Sequence, residues 1–338
     1  MLKLSYALFI AWAAVITGGC AADLHRYAFS QVVMGVRADI TVYSESEPVA
    51  ANAVREAFAA MARLDDSLSD YRVDNELARV GRGAHPGPMR VSHIFGTILE
   101  QSLAIARATD GAFDPTVGPM VRLWREARKQ GTLPEGAKLA GARARSGYEN
   151  VLLARDDHGD FEVSLAVPGM QLDFGGIGKG AAADEGLRVL RRQGHSRSLV
   201  AVAGDIAAGD PPPARDGWTI AVATRSTDTA SEFVSIENAA ISTSGDSEQF
   251  VEIGGVRYSH ILDPRTGAGL VGAPIVSVIA PSGAVADALA TAICVTGAAR
   301  APDLTGRFEG AACLVRDAEA PHRVVYVSAG FPPRTSRP

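Results

Sequence analysis

The chain has 338 residues, of which 47% are hydrophobic and 21% charged, and its formal net charge is −5. This length and apolar fraction can bury a core in one large domain or in two lobes. The mild acidity and the lack of a basic block exclude the electrostatic footprint of a nucleic-acid-binding protein, so no nucleic acid partner is expected.

The N-terminus has the pattern of an export signal. Lys3 precedes an apolar run over 4–16, which is shorter than the about 20 residues that span a bilayer and is typical of a signal peptide. Small residues then lead to Cys20, and this arrangement resembles the lipobox of bacterial lipoproteins, in which the cysteine is acylated. We therefore expect a signal peptide over 1–19 and an exported protein held on the periplasmic face of an inner or outer membrane through lipidated Cys20. A plain cleaved signal near Ala21-Ala22 is the alternative.

Regular elements follow along the chain. Alternating polarity predicts a strand over 36–43, and apolar residues at helical spacing predict helices over 50–64 and 91–109. The remaining predicted elements are strands over 170–174, 198–202, 218–224 and 275–280, and helices over 181–193 and 287–295. Because strands and helices mix without strict alternation, the predicted fold class is α+β, or α/β with a mixed sheet. The polar, proline-rich segment 331–338 is expected to fray.

Two segments rich in turn-forming residues could carry chemistry. Residues 172–180 predict a strand end, a glycine turn and a helix start, whose N–H groups could bind an anion beside Lys179 and Asp173. The segment meets neither the P-loop nor the dinucleotide-binding pattern, and a simple strand–helix junction explains it equally well. The loop over 109–119 contains Phe113, which could stack on an aromatic ring or anchor the loop in the core.

Two further candidates lie nearer the C-terminus. His260 could be a general base, because histidine titrates near neutral pH, although a histidine beside a turn is more often structural. Asp287 and Thr291 are four residues apart on a predicted helix and share a face, where two hard oxygen donors would suit Mg²⁺. Spacing alone favours a simpler arrangement, in which Asp287 caps the helix and Thr291 bonds back to a carbonyl.

The chain has two cysteines besides Cys20. Cys294 and Cys313 each lie in an apolar stretch. A disulfide in an exported protein and two buried thiols both fit this pattern, and the spacing of a zinc site is missing.

In combination, these segments resemble the ApbE family of FAD:protein FMN transferases from about Met34 to Gly297. The matching motifs are, in chain order, Met34-Gly35, Leu68-Ser69-Asp70-Tyr71, Glu76-Leu77, Gly111-Ala112-Phe113-Asp114-Pro115-Thr116, Leu123-Trp124, Leu172-Asp173 with the glycine turn through Lys179, Thr243-Ser244-Gly245-Asp246, His260-Ile261 with Asp263-Pro264 and Thr266-Gly267, and Ala286-Asp287-Ala288-Leu289-Ala290-Thr291-Ala292. Each motif is weak alone, but the whole series in one order is highly specific. It implies one ApbE-type domain over 24–330.

The resemblance also implies a role for each matching residue. The residues implied to line the FAD site are Met34, Tyr71, Ala112, Phe113, Asp114, Asp173, Lys179 and Ile261. The implied Mg²⁺ ligands are Gly176 through its carbonyl, Asp287 and Thr291, and His260 is the implied catalytic histidine. In the implied reaction, a Thr or Ser hydroxyl of an acceptor protein attacks the phosphorus attached to riboflavin, AMP leaves, and FMN remains as a phosphoester. FAD is then the substrate, Mg²⁺ the cofactor, and the acceptor an exported electron-transfer subunit.

Three positions depart from the family pattern. Ala203 replaces a glycine of the usual Gly-Gly-Asp, Gly178 replaces the usual alanine before the lysine, and Asn75 replaces a common serine. Since the implied metal ligands and His260 are intact, we expect an active enzyme.

Two other functions fit the same residues. A Mg²⁺-dependent FAD pyrophosphatase would use water as the nucleophile and give FMN and AMP. A non-catalytic FAD-binding lipoprotein would bind FAD without releasing AMP. A generic solute-binding lipoprotein would leave His260 and the Asp287–Thr291 pair unexplained.

Overall fold

The structure is a computed structural model. It describes residues 23–222, 232–245, 250–320 and 322–336. The predicted signal peptide and Cys20 lie outside the described residues, as does Asp246. Within these ranges, no helix combines the length and apolar character needed to cross a membrane.

The described residues form both helices and strands throughout. The helices are α1 (Glu47–Leu68), α2 (Glu76–Gly83), α3 (His93–Ala108), α4 (Gly118–Gln130), α5 (Gly136–Arg143), α6 (Gly178–Arg192), α7 (Gly283–Thr296) and α8 (Ala301–Gly306). The strands are β1 (His25–Val33), β2 (Val36–Ser44), β3 (Met89–Val91), β4 (Val151–Arg155), β5 (Phe161–Leu165), β6 (Ser198–Val202), β7 (Asp205–Ala208), β8 (Trp218–Val222), β9 (Glu232–Ile236), β10 (Ala240–Ser244), β11 (Phe250–Ile253), β12 (Val256–Ser259), β13 (Ile275–Ala280), β14 (Ala312–Arg316) and β15 (Val324–Val327).

One large sheet organises the molecule. Its eight strands lie in the order β1-β2-β6-β7-β10-β13-β14-β15, and every neighbouring pair is antiparallel. Smaller sheets are formed by β3-β5-β4, by β8-β9 and by β11-β12. Because the central sheet is antiparallel and the helices are inserted between its strands, the predicted α+β class is confirmed.

The two faces of the large sheet are covered differently. Helices α1, α6 and α7 pack on one face, where Val276 and Val278 of β13 join the main hydrophobic core. On the other face, Ile279 joins a second core that includes Trp218 of β8 and Val234 of β9. Since successive side chains of a strand point to opposite faces, this alternation lets β13 be buried on both sides.

A third, smaller core lies beside the first. It joins Met120 and Trp124 of α4 to Ala142 of α5, with Leu262 and the β11–β12 hairpin packed against them. The core therefore ties the hairpin that precedes His260 to the helix that follows the 109–119 loop.

Most predicted elements are confirmed, with two differences around the glycine turn. Residues 170–174 are not a strand, because the N–H of Asp173 bonds to the carbonyl of Pro115 in the 109–119 loop and no strand lies alongside. Helix α6 begins at Gly178, three residues before the predicted start at 181. The low helix propensity of glycine is overridden here by tight contacts, since a Cβ at Gly180 would lie 2.0 Å from the Gly283 carbonyl oxygen.

Two predicted elements near the C-terminal half also differ in extent. Helix α7 begins at Gly283, four residues before the predicted start at 287, because Ser282 caps it by accepting a hydrogen bond from the Val285 N–H. Residues 218–222 form the first part of the predicted strand over 218–224, whose last two residues lie outside the described ranges.

The segment after Gly330 packs against the protein as far as residue 336, where the sequence predicts fraying. Phe331 is buried in the second core. Phe233 and Thr335 exchange two backbone hydrogen bonds of 2.8 and 2.9 Å, and Arg334 forms a 2.8 Å ion pair with Glu232. Composition alone concealed this packing, because a single aromatic residue and a bridge to β9 anchor an otherwise polar segment.

Both cysteines of the described chain are buried thiols. The Cys294 Sγ–H donates to the Pro274 carbonyl at 3.4 Å, and the Cys313 Sγ accepts from Thr305 Oγ1 at 3.2 Å. Of the two arrangements that the sequence left open, the structure therefore has the two buried thiols, and no disulfide joins Cys294 to Cys313.

Candidate active site

The glycine turn is closed by its own carboxylate. Asp173 Oδ1 accepts a hydrogen bond of 2.8 Å from the N–H of Gly175, and the N–H groups of Ile177 and Gly178 both bond to the carbonyl of Phe174. The turn delivers the chain directly into the N-terminus of α6. An anion bound there would meet the positive end of the helix dipole.

An unusual backbone conformation places Met34 beside this glycine turn. Met34 and Gly35 form a two-residue turn between β1 and β2, with φ of 54° and 71°, and positive φ is uncommon for methionine. The N–H of Met34 donates to Asp65 Oδ2 of α1 at 3.0 Å. The Met34 methyl group lies where it would be 3.0 Å from a Cβ on Gly178, so glycine in place of the family alanine makes room for Met34.

A buried charge cluster connects α6, α7 and the large sheet. Lys179 Nζ lies 2.6 Å from Asp205 Oδ2 and 3.5 Å from Asp287 Oδ2. The N–H of Gly180 also donates to Asp287 Oδ2 at 3.2 Å, and the hydroxyl of Ser242 donates to Asp205 Oδ1. Asp205 and Asp287 are each 2% exposed, so these charges interact with little screening by solvent.

This cluster has more carboxylate than ammonium charge. Burial and the nearby Asp205 carboxylate raise the pKa of Asp287 to about 7. Burial alone would lower the pKa of Lys179, but Asp287 and Asp205 outweigh it and raise that pKa above its ordinary value. A second cation next to Asp287 would stabilise its ionised form.

The three predicted metal ligands lie around this cluster. Asp287 and Thr291 share one face of α7, and Thr291 Oγ1 is 3.4 Å from Ser244 Oγ. A Cβ on Gly176 would be 3.3 Å from Thr291 Oγ1 and 3.4 Å from the Phe113 ring. Ser282, and not Asp287, caps α7, so the simpler arrangement considered for Asp287 is wrong.

The 109–119 loop is held by a buried carboxylate. Asp114 Oδ1 accepts hydrogen bonds from the N–H and hydroxyl of Thr116 at 2.8 and 2.6 Å, and Oδ2 accepts from the Tyr148 N–H at 3.2 Å. Burial raises the pKa of Asp114. Ala112 and Phe113 are also buried. Asp114 therefore fixes the loop that carries Phe113 to Gly176.

Asp173 and Tyr71 meet at a third group, Arg125 of α4. Arg125 forms an ion pair with Asp70, lies 3.9 Å from Asp173 Oδ2, and places its guanidinium carbon 4.5 Å from the centre of the Tyr71 ring. Burial and the nearby Asp70 carboxylate raise the pKa of Asp173 to about 6. Tyr71 itself is 81% exposed.

His260 stands at the end of the β11–β12 hairpin. Its side chain is exposed, whereas Ile261 beside it is buried in the main core. The following turn is closed by a 2.7 Å hydrogen bond from the Gly267 N–H to the Asp263 carbonyl. Trp124 Nε1 donates to the Gly267 carbonyl at 2.8 Å, which ties this turn to α4.

The structure thus connects predicted site residues that are remote in sequence. Gly176 lies against Thr291 and Phe113, Lys179 lies against Asp287, and Met34 lies against Gly178. Sequence reasoning gave no role to Asp205, Asp65 or Arg125. The sequence offered one indication for Asp205, because it follows Gly204 in the motif that was compared with the family pattern. Asp65 and Arg125 belong to ordinary amphipathic helices, which give no such indication.

Solved structures share this fold over nearly the whole chain. A flavin transferase ApbE from Vibrio cholerae matches with a TM-score of 0.80 and 27% identity, covering 91% of this chain and 99% of that one. The apo form of a Pseudomonas stutzeri flavinyl transferase ApbE matches with a TM-score of 0.78 and 28% identity, covering 91% and 96%. The fold and the site together define a flavin transferase.

Proteins of similar sequence indicate which kind of flavin transferase the chain resembles. A protein of Treponema pallidum named FAD:protein FMN transferase is 32% identical, with 93% of this chain and 90% of the relative covered. An Escherichia coli protein of the same name is 31% identical, with 79% and 77% covered. Residues 34–315 match the ApbE family, and the chain belongs to that family.

Proposed function

We propose that this enzyme transfers the FMN half of FAD to a Thr or Ser hydroxyl of an acceptor protein and releases AMP. The observation that carries the proposal is the buried cluster in which Lys179 and Asp287 meet beside the glycine turn. A pyrophosphate at the N-terminus of α6 would be bound by the positive end of the helix dipole and by the Lys179 ammonium.

The donor set around Asp287 fits a magnesium ion. The Asp287 carboxylate, the Thr291 hydroxyl and the Gly176 carbonyl are hard oxygen donors, which Mg²⁺ prefers. The surplus of negative charge from Asp205 and Asp287 over Lys179 favours an added cation. When bound, Mg²⁺ would neutralise charge that develops on the pyrophosphate during phosphoryl transfer.

The remaining predicted residues would bind and orient FAD. Met34 covers the start of α6, and the buried side chains of Phe113 and Ile261 would support the site from the core behind it. Asp173 and Tyr71 lie at the Arg125 side of the turn. Ala112 and Asp114 would act through the loop that they anchor.

His260 would take the proton of the acceptor hydroxyl. The hydroxyl oxygen forms a bond to the phosphorus attached to riboflavin, the bond from that phosphorus to the bridging oxygen breaks, and AMP leaves with the electron pair. An exposed histidine suits this role, because its partner is a side chain on the surface of another protein.

The proposed setting is the periplasmic face of a membrane. The signal pattern over 1–19 and the lipobox-like Cys20 support export and acylation, and the acceptor would then be an exported electron-transfer subunit. Labelling with a radioactive fatty acid tests this setting: wild-type protein should incorporate the label, and C20S should not.

The first test of the activity compares wild-type protein with D287A. Each is incubated with FAD, Mg²⁺ and a flavin-accepting domain that carries a target threonine, and the denatured products are viewed under blue light. We expect a fluorescent acceptor band from wild-type protein that needs Mg²⁺, and loss of at least about a thousandfold in rate for D287A. D303A is the matched control, because Asp303 is an exposed carboxylate that pairs with Arg300 and Arg307 on the surface.

The products separate the rival functions. Free FMN and AMP without a labelled acceptor would indicate a pyrophosphatase, and bound but intact FAD would indicate a flavin-binding protein. Unchanged Mg²⁺-dependent transfer by D287A would overturn the metal assignment.

A further inference from the structure

Arg125 contacts two predicted FAD-binding residues, Asp173 and Tyr71, that are remote from each other in the sequence. It extends from α4, and its side chain is 35% exposed. The same guanidinium nitrogen reaches Asp70 and lies 3.9 Å from Asp173. The central carbon of its planar guanidinium group lies 4.5 Å from the centre of the Tyr71 ring.

This geometry explains how an exposed ring can hold a defined position. Tyr71 is 81% exposed and lies in an irregular segment between α1 and α2. A guanidinium over the face of an aromatic ring is attractive, and Arg stacks in this way better than Lys because its charged group is planar. Asp70 is the residue before Tyr71, so the ion pair between Arg125 and Asp70 holds the same segment in place.

Arg125 also contributes to the charge state of Asp173. Asp70 and Asp173 are two carboxylates facing each other beside a cavity of about 400 Å³. Burial and Asp70 favour the protonated form of Asp173, whereas Arg125 and the Gly175 N–H favour the ionised form. The charged and titratable groups closest to Asp173 and Arg125 are Asp70, Tyr71 and each other, and Arg72, Arg82 and Arg122 line the same cavity as Asp70 and Asp173.

We propose that Arg125 is a positioning residue for FAD, which fixes the Tyr71 ring and the Asp173 carboxylate in the arrangement that binds the dinucleotide. The proposal rests on the proposed function and names a residue that the family motifs do not include. Because the contacts of Arg125 are with Asp70, Asp173 and Tyr71, we expect it to act on FAD binding and to leave the transfer step unchanged.

The test measures FAD binding by quenching of flavin fluorescence, together with kcat and KM, in R125M and R125K. R125M removes the charge and the stack while keeping a long apolar side chain. We expect its Kd and its KM for FAD to rise about tenfold, with kcat within about twofold of wild type. R125K keeps a charge near Asp70 and should lose about threefold in affinity, because lysine lacks the planar stack.

A pH profile separates positioning from a merely structural role. In wild-type protein, FAD binding should change with a midpoint near the Asp173 pKa of about 6. In R125M the midpoint should move to higher pH, because a cation that favours ionised Asp173 is gone. In R125K it should stay near the wild-type value.

R128M is the matched control, because Arg128 is an exposed arginine on the same helix. It should bind FAD like wild type with the same midpoint. An R125M variant with wild-type affinity and an unshifted midpoint would overturn the proposal. Wild-type protein that binds FAD but labels no acceptor would refute the proposed transfer, while the binding data on R125M would still decide the role of Arg125.

Discussion

At the scale of single residues, two of the positive φ angles at non-glycine residues, those of Met34 and Ala203, have different causes. Met34, with φ of 54°, is a predicted FAD-site residue, and a hydrogen bond to Asp65 holds it. Backbone strain of this kind persists where surrounding contacts enforce it, and it often marks a functional position. Ala203, with φ of 52°, lies in the exposed two-residue turn between β6 and β7, where the family has glycine.

The positive φ of Ala203 predicts that the substitution A203G stabilises the protein. A left-handed conformation costs an alanine about 1–2 kcal/mol, and glycine avoids this cost while losing about 0.5–1 kcal/mol in unfolded-chain entropy. We expect the free energy of unfolding in urea to rise by about 0.5 kcal/mol. A201G, two residues earlier in β6, is the control and should lower it by about as much. A203G less stable than wild type would contradict this account of the turn.

At the scale of elements, the site is built where the first turns of α6 and α7 meet. Gly180 and Gly283 are in direct contact, since a Cβ on either would lie within 2.5 Å of the carbonyl oxygen of the other. Asp184 of α6 fastens the junction by accepting hydrogen bonds from the N–H groups of Gly283 and Ala284 at 2.7 and 3.0 Å. This pairing places Lys179 of one helix beside Asp287 of the other.

Asp184 should make stability depend on pH in an unusual direction. Burial raises its pKa to about 6, above the value of about 4 in an unfolded chain. The stabilisation is therefore complete below about pH 4 and is lost as the pH rises through about 6, by about 3 kcal/mol in total. We expect the difference in unfolding free energy between wild type and D184N to change by this amount between pH 4 and 7, to the disadvantage of wild type.

Urea unfolding at several pH values checks this linkage. D303N is the control with the opposite sign, because the hydrogen bond from Arg300 lowers the pKa of Asp303. Its contribution is present above the unfolded pKa and is lost as the pH falls. A difference between wild type and D184N that stays constant with pH would rule out a raised pKa at Asp184.

At the scale of the whole molecule, the last described residues close the far face of the sheet. Phe331 completes the core formed by β8, β9 and the outer face of β13 and β14, and Thr335 bridges to β9. Arg316 of β14 and Arg334 both reach Glu232 at 2.6 and 2.8 Å. The C-terminal segment is thus part of the fold and not an appendage.

Truncation of this anchor should be costly. We expect F331A to lower the free energy of unfolding by about 3 kcal/mol, because it removes a buried ring and leaves a cavity. F250A, in the β11–β12 hairpin, is a control in which the same change at a ring 38% exposed should cost less than about 1 kcal/mol. Equal effects of the two substitutions in thermal or urea unfolding would argue against the packing of Phe331.

The sequence predicted what local patterns determine. The apolar spacing of α1 and the alternation of β2 are properties of neighbouring residues, and both elements were confirmed. The prediction of a strand over 170–174 was wrong, because the backbone N–H of Asp173 bonds to the remote Pro115 and not to another strand. The ordered motifs predicted the site residues but not their arrangement, since Gly180 and Asp287 meet across 107 positions, and no local signal marks Arg125 or Asp65.

The contact between Gly180 and Gly283 has a consequence for how this enzyme tolerates change over evolution. Two main chains meet there without an intervening side chain, so the spacing between the lysine and the carboxylate is set by peptide geometry. Surrounding core residues can therefore be exchanged over long divergence while the candidate active site keeps its dimensions. A solved structure only 27% identical shares this architecture, and we expect drift in the core to erode thermal resistance long before it alters chemistry.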